Sequence, residues 1–231
     1  MSTKGIWGVL IADVVASRQI DGFRKRRTEL LEQIEARQVD DELLHTAYAV
    51  SGYDEFQGLA THPWNLPRLV WELRRDFHPW RLRIGLGIGG IDAPPVSGEP
   101  LNQSSTGDAF YRAREALGRL DDGKEKFERK TRLDSGQEAL DLPVNLAYGL
   151  VDSLLRKTTE RQWETIQAHE EYGGVEKAAE VLNLDPSTVS RNLQRGFYWQ
   201  ILESQTGLTR LLQLHFQVQD QWYVPEGTNN P

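Results

Sequence analysis

The chain has no cysteine, which excludes disulfides and thiolate metal sites. Its five histidines stand at 45, 62, 78, 169 and 215, none in a close helical pair, and that scatter argues against a zinc centre. No apolar run approaches the roughly 20 residues that span a bilayer. Met1-Ser2-Thr3-Lys4-Gly5 leads straight into a strand-like segment rather than a signal peptide. A cytoplasmic protein with no membrane partner is therefore expected. Positive charge is also in short supply: 27 Lys and Arg stand against 34 Asp and Glu, a formal net charge of −7. A non-specific polyanion binder is disfavoured, while a local basic patch is still allowed. The 231 residues, 39% of them hydrophobic, suffice for one large or two small domains with an ordinary core.

The most informative stretch runs from Tyr48 to Ala60. An apolar run enters through Val50, Ser51-Gly52 breaks it, and a second run leaves through Phe56 and Leu59, as in a β-hairpin. Asp54 and Glu55 sit at its tip. Neighbouring strand residues point to opposite faces, so only one of the two can face a given site. A carboxylate held there suits a hard cation such as Mg²⁺, and Asp also favours turns for their own sake; both readings stand. Upstream, Gly5 to Ser17 reads as a buried strand with Asp13 near its end. A carboxylate in that place must be paired, bind a metal or cap the next turn.

Helical periodicity predicts a helix over 22–37 with Phe23, Leu30, Leu31 and Ile34 on one face. Its run Arg24-Lys25-Arg26-Arg27 reads as a solvated face, because Glu29, Glu32 and Glu35 follow. A second amphipathic helix carries Leu66, Leu69, Val70, Leu73 and Phe77, and a strand follows over Trp80 to Gly87. Gly85, Gly87 and Gly90 fit a GxGxxG string, but Pro94-Pro95 disfavours the helix that a dinucleotide site needs. These glycines instead let the strand pass close to another backbone or a ligand. A third helix holds Phe110, Ala113, Leu117 and Leu120 on its apolar face. Asp121-Asp122-Gly123 is a turn, Lys126 to Leu133 an edge strand, and Pro143 opens a fourth helix. The fold class is α+β, and its first six elements follow the βαββαβ pattern.

Four blocks carry a resemblance: Ile11 to Ser17, Gly52 to Leu59, Arg83 to Gly89 and Gly107 to Arg114. Together they resemble the SatD family and are distantly similar to GGDEF diguanylate cyclases and other nucleotide cyclases of the palm-type, ferredoxin-like fold. The resemblance implies a nucleotide partner held with Mg²⁺ or Mn²⁺. It makes Asp13 and Asp54 the metal ligands and Gly52, Tyr53, Glu55 and Arg114 the nucleotide-binding residues, with Arg114 on the phosphates. Tyr53 stands where the hairpin motif carries its second Gly, so its ring would block the substrate or stack on a base. Two nearby carboxylates repel, and Asp13→Asn is therefore expected to raise stability in metal-free buffer.

The character changes after Lys157, giving domains at 1–156 and 157–231. Thr159 to Gln162 fits a capping box. Val175 to Leu182 and Pro186 to Arg195 read as two short helices joined by Asn183-Leu184-Asp185, with Asp185 as N-cap. The second resembles the recognition helix of bacterial helix-turn-helix regulators. Ser187, Thr188, Arg191 and Asn192 would face the major groove of DNA, and Arg195 a phosphate. A structural module for dimerisation is the alternative, and the excess of acids after Lys157 speaks for it. Phe197, Tyr198, Trp199, Ile201 and Leu202 continue the helix as an apolar face toward the first domain or a second subunit; Leu208 to Val218 is helix or strand, and Gly227 to Pro231 a frayed tail. The resulting expectation is a homodimeric, nucleotide-responsive DNA-binding regulator. The alternative is an active two-metal nucleotidyl cyclase or nucleotidyltransferase whose helical module serves oligomerisation.

Overall fold

The computed structural model describes residues 5–93, 101, 105–120 and 129–221. Its strands are β1 (Trp7–Val14), β2 (Ala49–Ser51), β3 (Glu55–Ala60), β4 (Leu82–Gly89) and β5 (Thr131–Asp134). They form one sheet in the order β2-β3-β1-β4-β5, antiparallel except for the parallel β4–β5 pair. The helices are α1 (Phe23–Asp40), α2 (Leu66–Phe77), α3 (Asp108–Arg119), α4 (Glu138–Leu155), α5 (Glu160–Tyr172), α6 (Val175–Leu182), α7 (Pro186–Arg195) and α8 (Tyr198–Gln221). The mixed α+β class is as expected. The predicted Asp121-Asp122-Gly123 turn, the Pro94-Pro95 break, the start of the edge strand and the C-terminal tail lie outside the described residues.

The alternation of β1 divides the core. Leu10, Ala12 and Val14 pack with Phe23, Leu31 and Ile34 of α1 and with Leu66, Leu69, Leu73 and Phe77 of α2. Val9 and Ile11 pack on the other face with Ala109, Phe110, Ala113 and Leu117 of α3. The approach of α3 is close. A Cβ on Gly85 would lie 2.2 Å from the Ala113 carbonyl oxygen, and one on Gly87 would lie 2.0 Å from that of Ala109. The β4 glycines thus let the α3 backbone lie directly on the strand, as the sequence suggested.

Two elements differ from expectation, and one left open is decided. Pro143 lies inside α4, which starts at Glu138. Asp141 accepts the Ser135 amide at 2.8 Å and its hydroxyl at 2.6 Å, anchoring the earlier start. The carbonyl that Pro143 leaves unpaired belongs to the exposed Ala139, where water can serve it. The third helix of the C-terminal segment does not run on past Arg195. Phe197 takes a left-handed conformation, φ 59°, and α8 sets out in a new direction. Residues 208–218 are helical, and Leu208, Leu212 and Phe216 return to the sheet's core at i, i+4 and i+8.

A second apolar cluster forms around α5, α6 and α7, from Trp163, Ile166, Ala178, Ala179, Val189 and Leu193, and it includes Trp71 of α2. Tyr198 and Ile201 are buried in the same cluster, which reaches Trp71 of the sheet unit, while Trp199 of the predicted apolar face is exposed. Polar bonds reinforce this joint. Trp71 Nε1 donates to Glu170 at 2.9 Å, Arg75 pairs with Glu170, and Gln167 donates to the Arg75 carbonyl at 2.7 Å.

The contact between α3 and β4 yields a paired test. Gly87→Ala should destabilise the protein by about 3 kcal/mol, because backbone and not side chain must move. Gly118→Ala, in α3 with nothing within 4 Å of its added methyl, should stabilise by about 0.5–1 kcal/mol. Chemical denaturation followed by circular dichroism distinguishes the two.

Candidate functional site

The β1 register places Asp13 opposite Glu55 of β3 on one side and Arg83 of β4 on the other. Ser51 of β2 continues the row opposite Glu55. Cross-strand partners share a face, and this is the α3 face, because Asp13 follows Val9 and Ile11 in the alternation. Four strands thus line up two carboxylates, a guanidinium and a hydroxyl. Helix α3 adds a second guanidinium, that of Arg114, which pairs with Glu55.

Asp13 is 9% exposed, and its charge is met by a two-pronged bond. Arg83 Nε donates to Oδ1 at 2.8 Å and a terminal nitrogen to Oδ2 at 2.7 Å, the geometry in which Arg–carboxylate pairs are strongest. Asp54 is one residue out of this row. It lies in the turn before β3 and accepts a 2.7 Å bond from the Ser17 hydroxyl, in the 3₁₀ turn Ser17–Gln19 that follows β1. Glu55, not Asp54, is therefore the cross-strand neighbour of Asp13.

The other hairpin residues are equally engaged. Gly52 has φ 66°, and a Cβ there would meet nothing, so glycine serves the turn geometry. The Tyr53 ring stacks on Phe23 with centroids 5.4 Å apart, and the Arg24 guanidinium lies 4.8 Å from its centre. That ring is held against α1 rather than presented to a base. The Tyr53 carbonyl accepts from Arg27 at 2.5 Å. Arg27 is thus not part of a solvated basic face: it is buried, and burial, with the neighbouring Arg24, pulls its pKa below the usual guanidinium value. Its position one turn after Phe23 was the available signal.

As held here, these carboxylates do not fit a divalent cation. Both oxygens of Asp13 face Arg83, and Glu55 faces Arg114. Among the described residues no group of three or more His, Asp or Glu side chains converges on a metal position. The chemistry the row offers is that of paired charges, in which an incoming anion can compete for Arg83 or Arg114.

In α7, Asp185 caps the helix by accepting the Ser187 amide at 2.8 Å. The hydroxyl and amide of Ser187 hold the Asp185 carboxyl below its ordinary pKa. Val189 and Leu193 are fully buried against α5 and α6, and Asn192 donates to Thr165 of α5 at 3.1 Å. Asn192 is thus turned toward the bundle. Ser187, Arg191 and Arg195 are exposed, Thr188 is half-buried, and Ser190 and Gln194, not singled out in the sequence, share the exposed side. Arg191 lies back along its own helix, with Nε bonded to the Ser187 carbonyl at 3.1 Å and a terminal nitrogen to the Thr188 hydroxyl at 3.1 Å.

Fold and site together define an α+β protein with a carboxylate–guanidinium row on one sheet face and a three-helix unit docked on α2. The chain matches the SatD family model over residues 7–203 and belongs to the SatD family, as the four sequence blocks suggested. Among solved structures it is similar to a regulator of polyketide synthase expression from Bifidobacterium adolescentis. The identity is 16% and the TM-score 0.31, over 90% of this chain and 82% of that one. No curated protein matches it.

The ion pair reverses the effect first expected of Asp13→Asn. Removing the charge opposite Arg83 should now destabilise the fold by about 1.5–3 kcal/mol. Arg83→Met should cost at least as much, because it strands a largely buried carboxylate. Urea denaturation of the two variants and their double mutant measures the coupling; an Asp13→Asn protein more stable than the parent would contradict the pairing.

Proposed function

We propose that this SatD-family chain is a DNA-binding regulator. The sheet unit is read as a palm-type, nucleotide-cyclase-like sensing half, and α6–α7 as a helix-turn-helix. The observation that carries the reading is the composition of the exposed side of α7. Ser187, Ser190, Arg191, Gln194 and Arg195 offer hydroxyl, amide and guanidinium groups without one carboxylate, in a chain whose formal net charge is −7. These are the groups that bond base edges and phosphates. The opposite side, Val189 and Leu193, is buried, so this face is held outward on a packed support. Strand order supports the sensing half: β2-β3-β1-β4 with antiparallel neighbours is the arrangement expected of a βαββαβ palm-type core.

The alternative, an active two-metal cyclase or nucleotidyltransferase, is less favoured. It needs free carboxylates flanking a phosphate, whereas Asp13 and Glu55 are each neutralised by an arginine. In the regulator reading the same arginines make the row a place where a nucleotide's phosphates compete for Arg83 and Arg114, and the metal is dispensable.

DNA selected from a random pool and then titrated by fluorescence anisotropy at fixed salt tests the proposal. The protein should enrich a defined sequence. Arg191→Ala should weaken specific binding by about ten- to a hundredfold, as expected for about 1–3 kcal/mol of base discrimination, and relax the preference at one base pair. The melting temperature should stay within a degree or so, since Arg191 is a surface residue. A pool that yields no preferred sequence would overturn the regulator reading.

A further inference from the structure

A departure from the chain's acidic character lies at the joint between the sheet unit and the helical unit. A cleft of ≈ 300 Å³ opens there, walled by the end of α2 and the entry to β4 (Arg74, His78, Trp80, Arg81), by Lys130, by the end of α4 (Asp152, Arg156) and by the start of α5 (Glu160, Trp163). Four cationic side chains line it, Arg74, Arg81, Lys130 and Arg156, against two carboxylates, Asp152 and Glu160. The cleft thus holds two positive charges in excess, in a chain with a formal net charge of −7.

The charges are not equivalent. Asp152 is fully buried; it lies 2.6 Å from an Arg74 nitrogen and accepts the Lys130 and Thr131 amides at 2.7 and 3.0 Å. Glu160 is engaged by His78 at 3.1 Å. Arg81 and Arg156, both exposed, make no ion pair or side-chain hydrogen bond among the described residues. The Nε of Arg74 is buried without a partner. The excess charge therefore sits on guanidiniums with bonding capacity to spare, beside an apolar wall of Leu82, Leu155 and Trp163. Convergent polar groups on a largely apolar wall mark small-molecule sites, whose volumes run from about 300 to 1,000 Å³.

The geometry points to this joint as a binding site for a nucleoside monophosphate. A phosphomonoester carries about two negative charges at neutral pH, matching the excess. Guanidiniums bind phosphate through paired donors, and the wall beside them, Leu82 and Leu155 with the His78 ring stacked on Trp163, accepts the base. A triphosphate would bring surplus charge, and a dinucleotide would exceed the volume. The inference rests on the nucleotide-responsive part of the proposed function and moves the ligand from the hairpin to the joint. There both units supply walls, so an occupant sets how α5 sits against the sheet.

The test uses the full chain without DNA, titrated with AMP, GMP, CMP and UMP by calorimetry and by the fluorescence of Trp80 and Trp163. At least one monophosphate should bind saturably, and its nucleoside should not. Arg81→Gln and Arg156→Gln should each weaken binding by roughly tenfold, and the pair should abolish it. Arg210→Gln, exposed on α8 and outside the cleft, should leave it unchanged. Both cleft arginines are exposed, so equal melting temperatures would show that the fold is intact. Absence of binding by all four nucleotides overturns the inference, as does equal binding of the nucleoside. Binding that survives the double variant but falls in Arg114→Gln places the ligand at the hairpin, which overturns the inference and keeps the nucleotide reading. DNA binding is measured separately, so a failed regulator reading leaves this result standing.

Discussion

Helix α3 lies with its backbone against β4 at Gly85 and Gly87, and much of the sheet's chemistry depends on that approach. A helix seated on side chains would stand off from the strand by the width of a methyl or more. Seated on glycine, α3 comes low enough for Arg112 to donate to the Ile88 carbonyl at 2.6 Å and the Ser135 carbonyl at 2.7 Å. Those bonds tie β4 to the segment after β5. Two residues on, the same helix sets Arg114 over Glu55. The glycines therefore act as a packing device, and the arginine that meets the carboxylate row is positioned by where side chains are missing.

Above that contact the sheet solves a problem of charge. A carboxylate in the middle strand of a sheet, with a strand on each side, loses most of its hydration and must find a partner. Asp13 finds Arg83 in the same cross-strand row, with two parallel bonds and little exposure. Glu55 finds Arg114. The outcome is electrically quiet, although the residue types are those of a metal site. A cation entering here would first have to displace a guanidinium from the oxygens it needs, and an anion would be drawn to the guanidiniums instead.

How much of this was legible beforehand follows from the range of the interactions. The strands and helices of the sheet unit, the capping box of α5 and the Asp185 cap are local, and periodicity with cap chemistry exposes them. The four blocks sufficed for the SatD family. Asp13 was recognisable as anomalous, but its partner was not: Arg83 lies 70 residues on and becomes its neighbour only through the β1–β4 register. The resemblance pairs Asp13 with Asp54, whereas the register makes Glu55 its cross-strand neighbour. The one-residue alternation at a hairpin tip decides between them, and sequence does not say where the turn ends and the strand begins. The extent of α4 was misjudged because Pro143 is permitted at several early positions of a helix, and the choice rests on Asp141 reaching Ser135.

The joint cleft illustrates a stricter limit. Its cations come from α2, the entry to β4, the entry to β5 and the end of α4, four separate places in the sequence. The basic run that a scan does notice, Arg24 to Arg27, disperses on folding. Arg24 lies over Tyr53, Arg26 lies 5.0 Å from the Trp80 ring centre, and Arg27 is buried under the hairpin. Of the clustered basic residues only Arg27 is consumed as packing, while scattered ones converge in space. The sheet unit brings those cations together, and docking of the helical unit on Trp71 carries Glu160 and Trp163 across from Arg74 and Arg81 and closes the fourth wall. The cations all belong to the sheet unit, and the helical unit adds Glu160 and the closing wall, which ties any anion bound there to the relative placement of the two.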